Sequence, residues 1–153
     1  MLFQLPKLPA EIRVSHLNVR VNEQRKKIAQ TTASKLELLQ LSQQLAKEAR
    51  ARKKTNEKIY VLDFKGDTAA SAVEQLREEI TLILATAKAG RDRVIVRLES
   101  PGGMVHGYGL AAAQLVRLRE AGFHLTICVD KVAASGGYMM ACIASEIISA
   151  PFA

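Results

Sequence analysis

The chain has 153 residues, 48% of them hydrophobic and 24% charged, with a formal net charge of +7. That is enough chain for one domain with a packed core, and the balance is that of a globular protein. Two cysteines exclude a disulfide framework, and no stretch approaches the ~20 apolar residues of a membrane span.

The charge is uneven. Residues 1–58 hold 13 Lys/Arg against 5 Asp/Glu, and residues 59–153 hold 9 against 10. The basic character belongs to an N-terminal arm, which suits nucleic acid, an anionic membrane surface or plain solvent. Within the arm, Pro6 and Pro9 break regular structure, and Ile12, Val14 and Leu17 suggest a short strand. Residues 28–52 read as one helix, because Leu38, Leu41, Leu45 and Ala49 recur at spacings of three and four. The stripe is narrow, which predicts packing on a partner, another copy or a lipid surface. Arg50 to Lys54 place cations at the helix C-terminus, where the dipole favours them, and residues 55–57 read as a linker.

From Lys58 the pattern changes. Ile59 to Phe64 form a short apolar run, read as a buried strand. A turn at Lys65-Gly66-Asp67 leads to a helix over 72–87, with Ser71 and Glu74 as a capping box and Val73, Leu76, Ile80, Ile83 and Leu84 as its apolar face. Gly90 ends the connection, and Val94–Leu98 is the second strand. The loop Ser100-Pro101-Gly102-Gly103 precedes a helix near 107–120 that carries Leu110, Leu115 and Leu118. Leu125–Val129 is a third strand, with Cys128 within it. Ala133–Gly137 turns into a helix over 137–144 that carries Cys142; both thiols read as buried and reduced. A fourth strand starts at Ile147. Strands alternating with helices at this spacing make an α/β fold with a parallel sheet and right-handed crossovers. Ligands in such sheets sit beyond the carboxyl ends of the strands, so both Gly-rich turns converge on one sheet edge.

The turn Ala133-Ala134-Ser135-Gly136-Gly137-Tyr138 places a serine at the start of a helix, among neighbours small enough for a substrate backbone to approach. Such a serine can attack a carbonyl while the Gly136 N–H steadies the oxyanion. It can equally be a helix cap, since serine is a favoured one. The loop Glu99-Ser100-Pro101-Gly102-Gly103 can present the Gly103 N–H as a second donor, with Gly102 freeing the backbone to turn; alone, it also reads as an ordinary Pro-Gly turn. Neither Lys131 nor Lys65 sits in a context that would lower its pKa for service as a base. His106 lies at the same sheet edge, while His16 and His124 read as surface residues. Tyr108, Tyr138 and Met104 are candidates for a substrate groove or for packing. No pattern of metal ligands is present.

Together these segments carry a resemblance. Arg97-Leu98-Glu99-Ser100-Pro101-Gly102-Gly103-Met104-Val105-His106-Gly107-Tyr108-Gly109 and Val129-Asp130-Lys131-Val132-Ala133-Ala134-Ser135-Gly136-Gly137-Tyr138-Met139-Met140-Ala141 resemble the two signature segments of the SohB branch of the signal peptide peptidase family, the S49 serine peptidases. Val61 to Gly66 resembles that family's first strand, and Ser149 to Ala153 a later stretch. The likeness is strong over 58–153 and looser over the arm, dividing the chain into an arm, 1–57, and part of a catalytic domain, 58–153. It implies a crotonase-like, Clp-protease-like sheet, and a Ser–Lys dyad endopeptidase with Ser135 as nucleophile and Gly103 and Gly136 as oxyanion donors. The general-base Lys would lie beyond this chain. No metal or cofactor is implied. The partners implied are a peptide substrate, further copies in a homo-oligomer, and a bacterial inner membrane reached through a segment outside this chain, with a periplasmic catalytic domain. No nucleic acid is expected. A Clp-like Ser–His–Asp protease, a crotonase-type acyl-CoA enzyme and a non-catalytic membrane scaffold remain as alternatives.

Overall fold

The computed structural model describes residues 12–153; Pro6 and Pro9 lie outside the described residues. The chain divides after Asn56 into two compact units. In the first, helix α1 spans Leu17–Thr32 and α2 spans Lys35–Thr55. The single helix expected over 28–52 is therefore two, and no strand forms at Ile12 and Val14, because Leu17 already opens α1. The break falls where Ser34 accepts from the Glu37 amide and the Glu37 carboxylate accepts from the Ser34 amide at 2.7 Å. This reciprocal cap satisfies the first free N–H groups of α2, so starting anew costs little. The Ser34 contacts hold the Glu37 carboxyl below its ordinary range. The two helices contact each other, and Arg25 meets Glu48 at 3.8 Å. Leu45 is buried, and Leu38 and Leu41 are half-buried. Asn56 ends α2 in the left-handed region, φ 51°, which asparagine tolerates better than most residues.

The second unit is a parallel sheet of four strands in the order β1 (Ile59–Lys65), β2 (Arg93–Ser100), β3 (His124–Ala133), β4 (Glu146–Ser149). Helices α3 (Val73–Thr86), α4 (Val105–Glu120) and α5 (Gly136–Ala141) connect them. Each strand pairs with the next in sequence, and parallel crossovers share one hand, so all three helices fall on the same face. That face buries Leu62, Phe64, Val94, Val96, Leu98, Leu125, Ile127 and Val129 against Leu76, Ile80 and Ile83 of α3 and Tyr108, Ala111, Leu115 and Leu118 of α4. Burying one such aliphatic side chain is worth roughly 1.5–3 kcal/mol. Leu110, expected on this face, is exposed.

The other face is open and charged. Burial alternates along β1 and β2, so these are strands buried on one side only. Asp63 takes two hydrogen bonds from Arg97, Glu99 two from Lys131, and His124 meets Glu146 at 3.6 Å. The apolar letters between them face the helices, and a continuous run in the sequence hid the alternation. Two further expectations change. Ala72, not Ser71, occupies the cap of α3, and the Ser71 hydroxyl and amide bond the Asp67 carboxylate, holding it below the usual carboxylate range. Cys142 is exposed and Cys128 half-buried rather than both being core thiols; burial pushes the Cys128 thiol up. No helix among the described residues is long and apolar enough to cross a membrane.

Candidate functional site

Both Gly-rich turns leave the carboxyl ends of adjacent strands. Strands β2 and β3 run in register to Leu98↔Val129 and then slip, so that Ser100 pairs with Ala133. The extra residues on β3 carry its end past β2 and swing Ala134-Ser135 over the Ser100–Gly103 loop. The Ala134 amide donates to the Ser100 carbonyl at 3.0 Å, tying the turns together.

Ser135 sits between β3 and α5 with φ 49° and ψ −117°. A non-glycine residue rarely adopts this conformation, which costs about 1–3 kcal/mol and persists only where the surroundings impose it. A strained serine on a sharp strand-to-helix turn projects its hydroxyl away from the backbone, as in the nucleophile elbows of unrelated hydrolases. Ser135 is exposed and its side chain makes no capping hydrogen bond, so the capping alternative does not hold.

Opposite it lies Gly102, with φ 89°. A Cβ there would stand 2.6 Å from Ser135 Cβ, 2.8 Å from the Ala134 carbonyl oxygen and 3.0 Å from the Gly136 nitrogen. Glycine is required twice over, for the backbone conformation and for this approach. Gly136 is buried, and a Cβ on it would enter the Tyr108 ring. Among the described residues the Gly103 and Gly136 amides donate no hydrogen bond, whereas their neighbours do: Gly102 to Ser100 Oγ at 3.1 Å, Met104 to the Thr68 carbonyl at 2.8 Å and Gly137 to the Ala134 carbonyl at 2.8 Å. Two free N–H groups flanking the contact between Gly102 and Ser135 are what a developing oxyanion requires.

The remaining candidates fall elsewhere. Tyr108 is fully buried and lines no groove, while Tyr138 and Met104 are exposed. Lys131 directs its ammonium to both oxygens of Glu99 at 3.0 Å, which holds the Glu99 carboxyl below its ordinary value. An ammonium so engaged is not aimed at Ser135. His106 is exposed on the first turn of α4, with no hydrogen bond to Ser135 among the described residues. No cluster of three or more His, Cys, Asp or Glu among the described residues can hold a metal. Sequence reasoning missed Ser100 and Tyr108 as the floor of the site. The spacing of Tyr108 with Ala111, Ala112, Leu115 and Leu118 is the signal that marks the tyrosine as buried.

The model of the N-terminal domain of peptidase family S49 matches residues 5–115, which include Gly102 and Gly103; Ser135 and Gly136 lie past the match. The chain is 64% identical over 95 residues to a probable protease SohB of Haemophilus influenzae, covering 62% of this chain and 27% of that protein. It is 63% identical over 94 residues to a probable protease SohB of Buchnera aphidicola subsp. Schlechtendalia chinensis, covering 61% and 30%. Against Protease 4 of Salmonella typhi the identity is 33% over 86 residues, covering 56% and 12%. The matched segment thus spans less than a third of each of these relatives.

Proposed function

The chain belongs to peptidase family S49, and on that footing we propose that it is the nucleophile-bearing part of a serine endopeptidase. Ser135 Oγ attacks the scissile carbonyl and passes its proton to a lysine supplied by polypeptide outside residues 1–153. The N–H groups of Gly103 and Gly136 hold the oxyanion, whose collapse expels the amine as it takes that proton. Water then hydrolyses the acyl-enzyme. The observation that carries this reading is the positive φ of Ser135 at an exposed turn, packed on Gly102. A crotonase-type reaction, which stabilises an enolate, has no use for a strained serine.

The substrates are membrane-associated peptides, signal peptides among them, and the complete enzyme is a homo-oligomer anchored in the bacterial inner membrane with its catalytic domain in the periplasm. The resemblance to signal peptide peptidases supports this. The basic helical unit, whose Lys and Arg suit an anionic lipid surface, supports the membrane association alone, since Lys/Arg-rich flanks favour the cytoplasmic side. The test uses the full-length protein with a fluorophosphonate probe and a peptide substrate. Labelling and hydrolysis are expected in the native enzyme and absent in Ser135→Ala. Undiminished hydrolysis by Ser135→Ala would overturn the assignment.

A further inference from the structure

Beneath the two turns runs a chain of buried hydroxyl groups that no step above uses. Ser100 and Tyr108 are both fully buried, with Ser100 Oγ 2.6 Å from Tyr108 Oη. Tyr108 donates to the Asp67 carbonyl at 2.8 Å, which spends its one proton, so the Ser100 hydroxyl donates to Tyr108. Ser100 Oγ in turn accepts the Gly102 amide at 3.1 Å. The direction runs without a break: Gly102 N–H to Ser100, Ser100 O–H to Tyr108, Tyr108 O–H to Asp67.

We infer that Ser100 and Tyr108 are positioning residues for the oxyanion donor: by holding the Gly102 amide inward, they leave Gly103 as the glycine whose N–H is free to face the reacting carbonyl. Three consecutive amides make the point. Gly102 is anchored to Ser100 below the loop and Met104 is anchored to the Thr68 carbonyl, so the Gly103 amide alone, held between two fixed points, is unengaged. Gly102 adopts φ 89°, a region in which glycine samples several peptide orientations at little cost. The Ser100 acceptor fixes the 101–102 peptide and the Thr68 carbonyl fixes the 103–104 peptide, so the 102–103 peptide that carries the Gly103 N–H is held between two anchored neighbours. The Tyr108 ring also packs against Gly136, which carries the other free amide, so one side chain supports both donors. Gly66 and Gly137 clear the space: a Cβ on either would run into Ser100, and one on Gly66 would also meet the Tyr108 hydroxyl.

This inference rests on the peptidase reading, and the experiment separates the two. In the full-length enzyme, Tyr108→Phe keeps the ring against Phe64 and Gly136 but removes the hydroxyl, and Ser100→Ala removes the acceptor. Each variant is expected to lose about 10- to 100-fold in kcat, with KM within about twofold. Affinity for a peptide boronate, which forms a tetrahedral adduct, should fall by the same factor. The double variant should lose no more than the worse single one, because the residues act as one chain. Unchanged kcat in both single variants would overturn the inference. So would a rise in KM and a fall in Tm with kcat intact, the signature of a merely structural role. If fluorophosphonate does not label the native enzyme at Ser135, it is the peptidase reading that has failed; labelling with indifferent relay variants sinks this inference alone.

Discussion

Gly102 and Ser135 face each other so closely that a methyl group on the glycine would lie 2.6 Å from Ser135 Cβ. Gly102→Ala must therefore either part the two turns or abandon its φ of 89°. The conformational cost alone is about 1–2 kcal/mol. Activity of the complete enzyme should fall at least about 100-fold, since displacing a reacting group by an ångström costs that much. Steady-state kinetics with thermal unfolding checks both, and native activity would show that the turns separate freely.

The strain at Ser135 predicts that activity and stability move in opposite directions. Ser135→Gly and Ser135→Ala should both abolish labelling by fluorophosphonate. Glycine alone relieves the positive φ, so its variant should be more stable than the alanine variant by about 1 kcal/mol in urea unfolding. Equal stabilities would mean that the turn relaxes in solution.

The start of β2 carries an acid-sensitive anchor. Asp92 is buried, takes two hydrogen bonds from Arg91 and accepts the Lys58 and Lys88 amides. Above all the Arg91 contact, with help from the two amides, holds its carboxyl far below the ordinary value of about 3.9. With the folded-state value depressed, this stabilisation is complete above the unfolded value and is lost as pH falls through that range. Asp92→Ala should destabilise by about 1–3 kcal/mol for each donor left unpaired at pH 7. The difference from native protein should shrink below pH 4, as denaturation series at several pH values would reveal.

Lys131 is predicted not to be the proton acceptor. Its contact with Glu99 is largely exposed, and such pairs contribute at most about 1 kcal/mol. Lys131→Ala should cost less than about 10-fold in kcat, against the 10²–10⁴ that a general base supplies. A loss beyond 100-fold with the fold intact would restore it as a candidate base.

In the first unit, Ser34→Ala removes the side chain that caps α2 and should destabilise that helix by about 0.5–2 kcal/mol. Faster amide hydrogen exchange confined to the first turn of α2 is the expected readout. Unaltered exchange there would show that the helix boundary does not depend on the cap.

The alternation of strands and helices after Lys58, the parallel sheet and the placing of Ser135 and Gly102 on turns at one sheet edge were all legible in the letters. Each depends on neighbours within a few residues, through side-chain periodicity or the chemistry of a tight turn. The sequence also carried the Ser34–Glu37 signal that splits the basic helix, although the leucine repeat spanning it concealed the break. Tertiary structure alone decided what depends on distant partners. A single crossover hand left one sheet face open, so Asp63 meets Arg97 and Glu99 meets Lys131 across strands more than thirty residues apart. The slip between β2 and β3 and the tie of the Ala134 amide to the Ser100 carbonyl bring the turn that holds Ser135, with its positive φ, against the Gly102 loop. Tyr108 reaches back to Asp67, and only that closure determines which of two adjacent glycine amides is free. Local propensity describes how a segment folds on its own. It cannot say which buried hydroxyl will meet which backbone amide, because that choice is made when separate elements pack together.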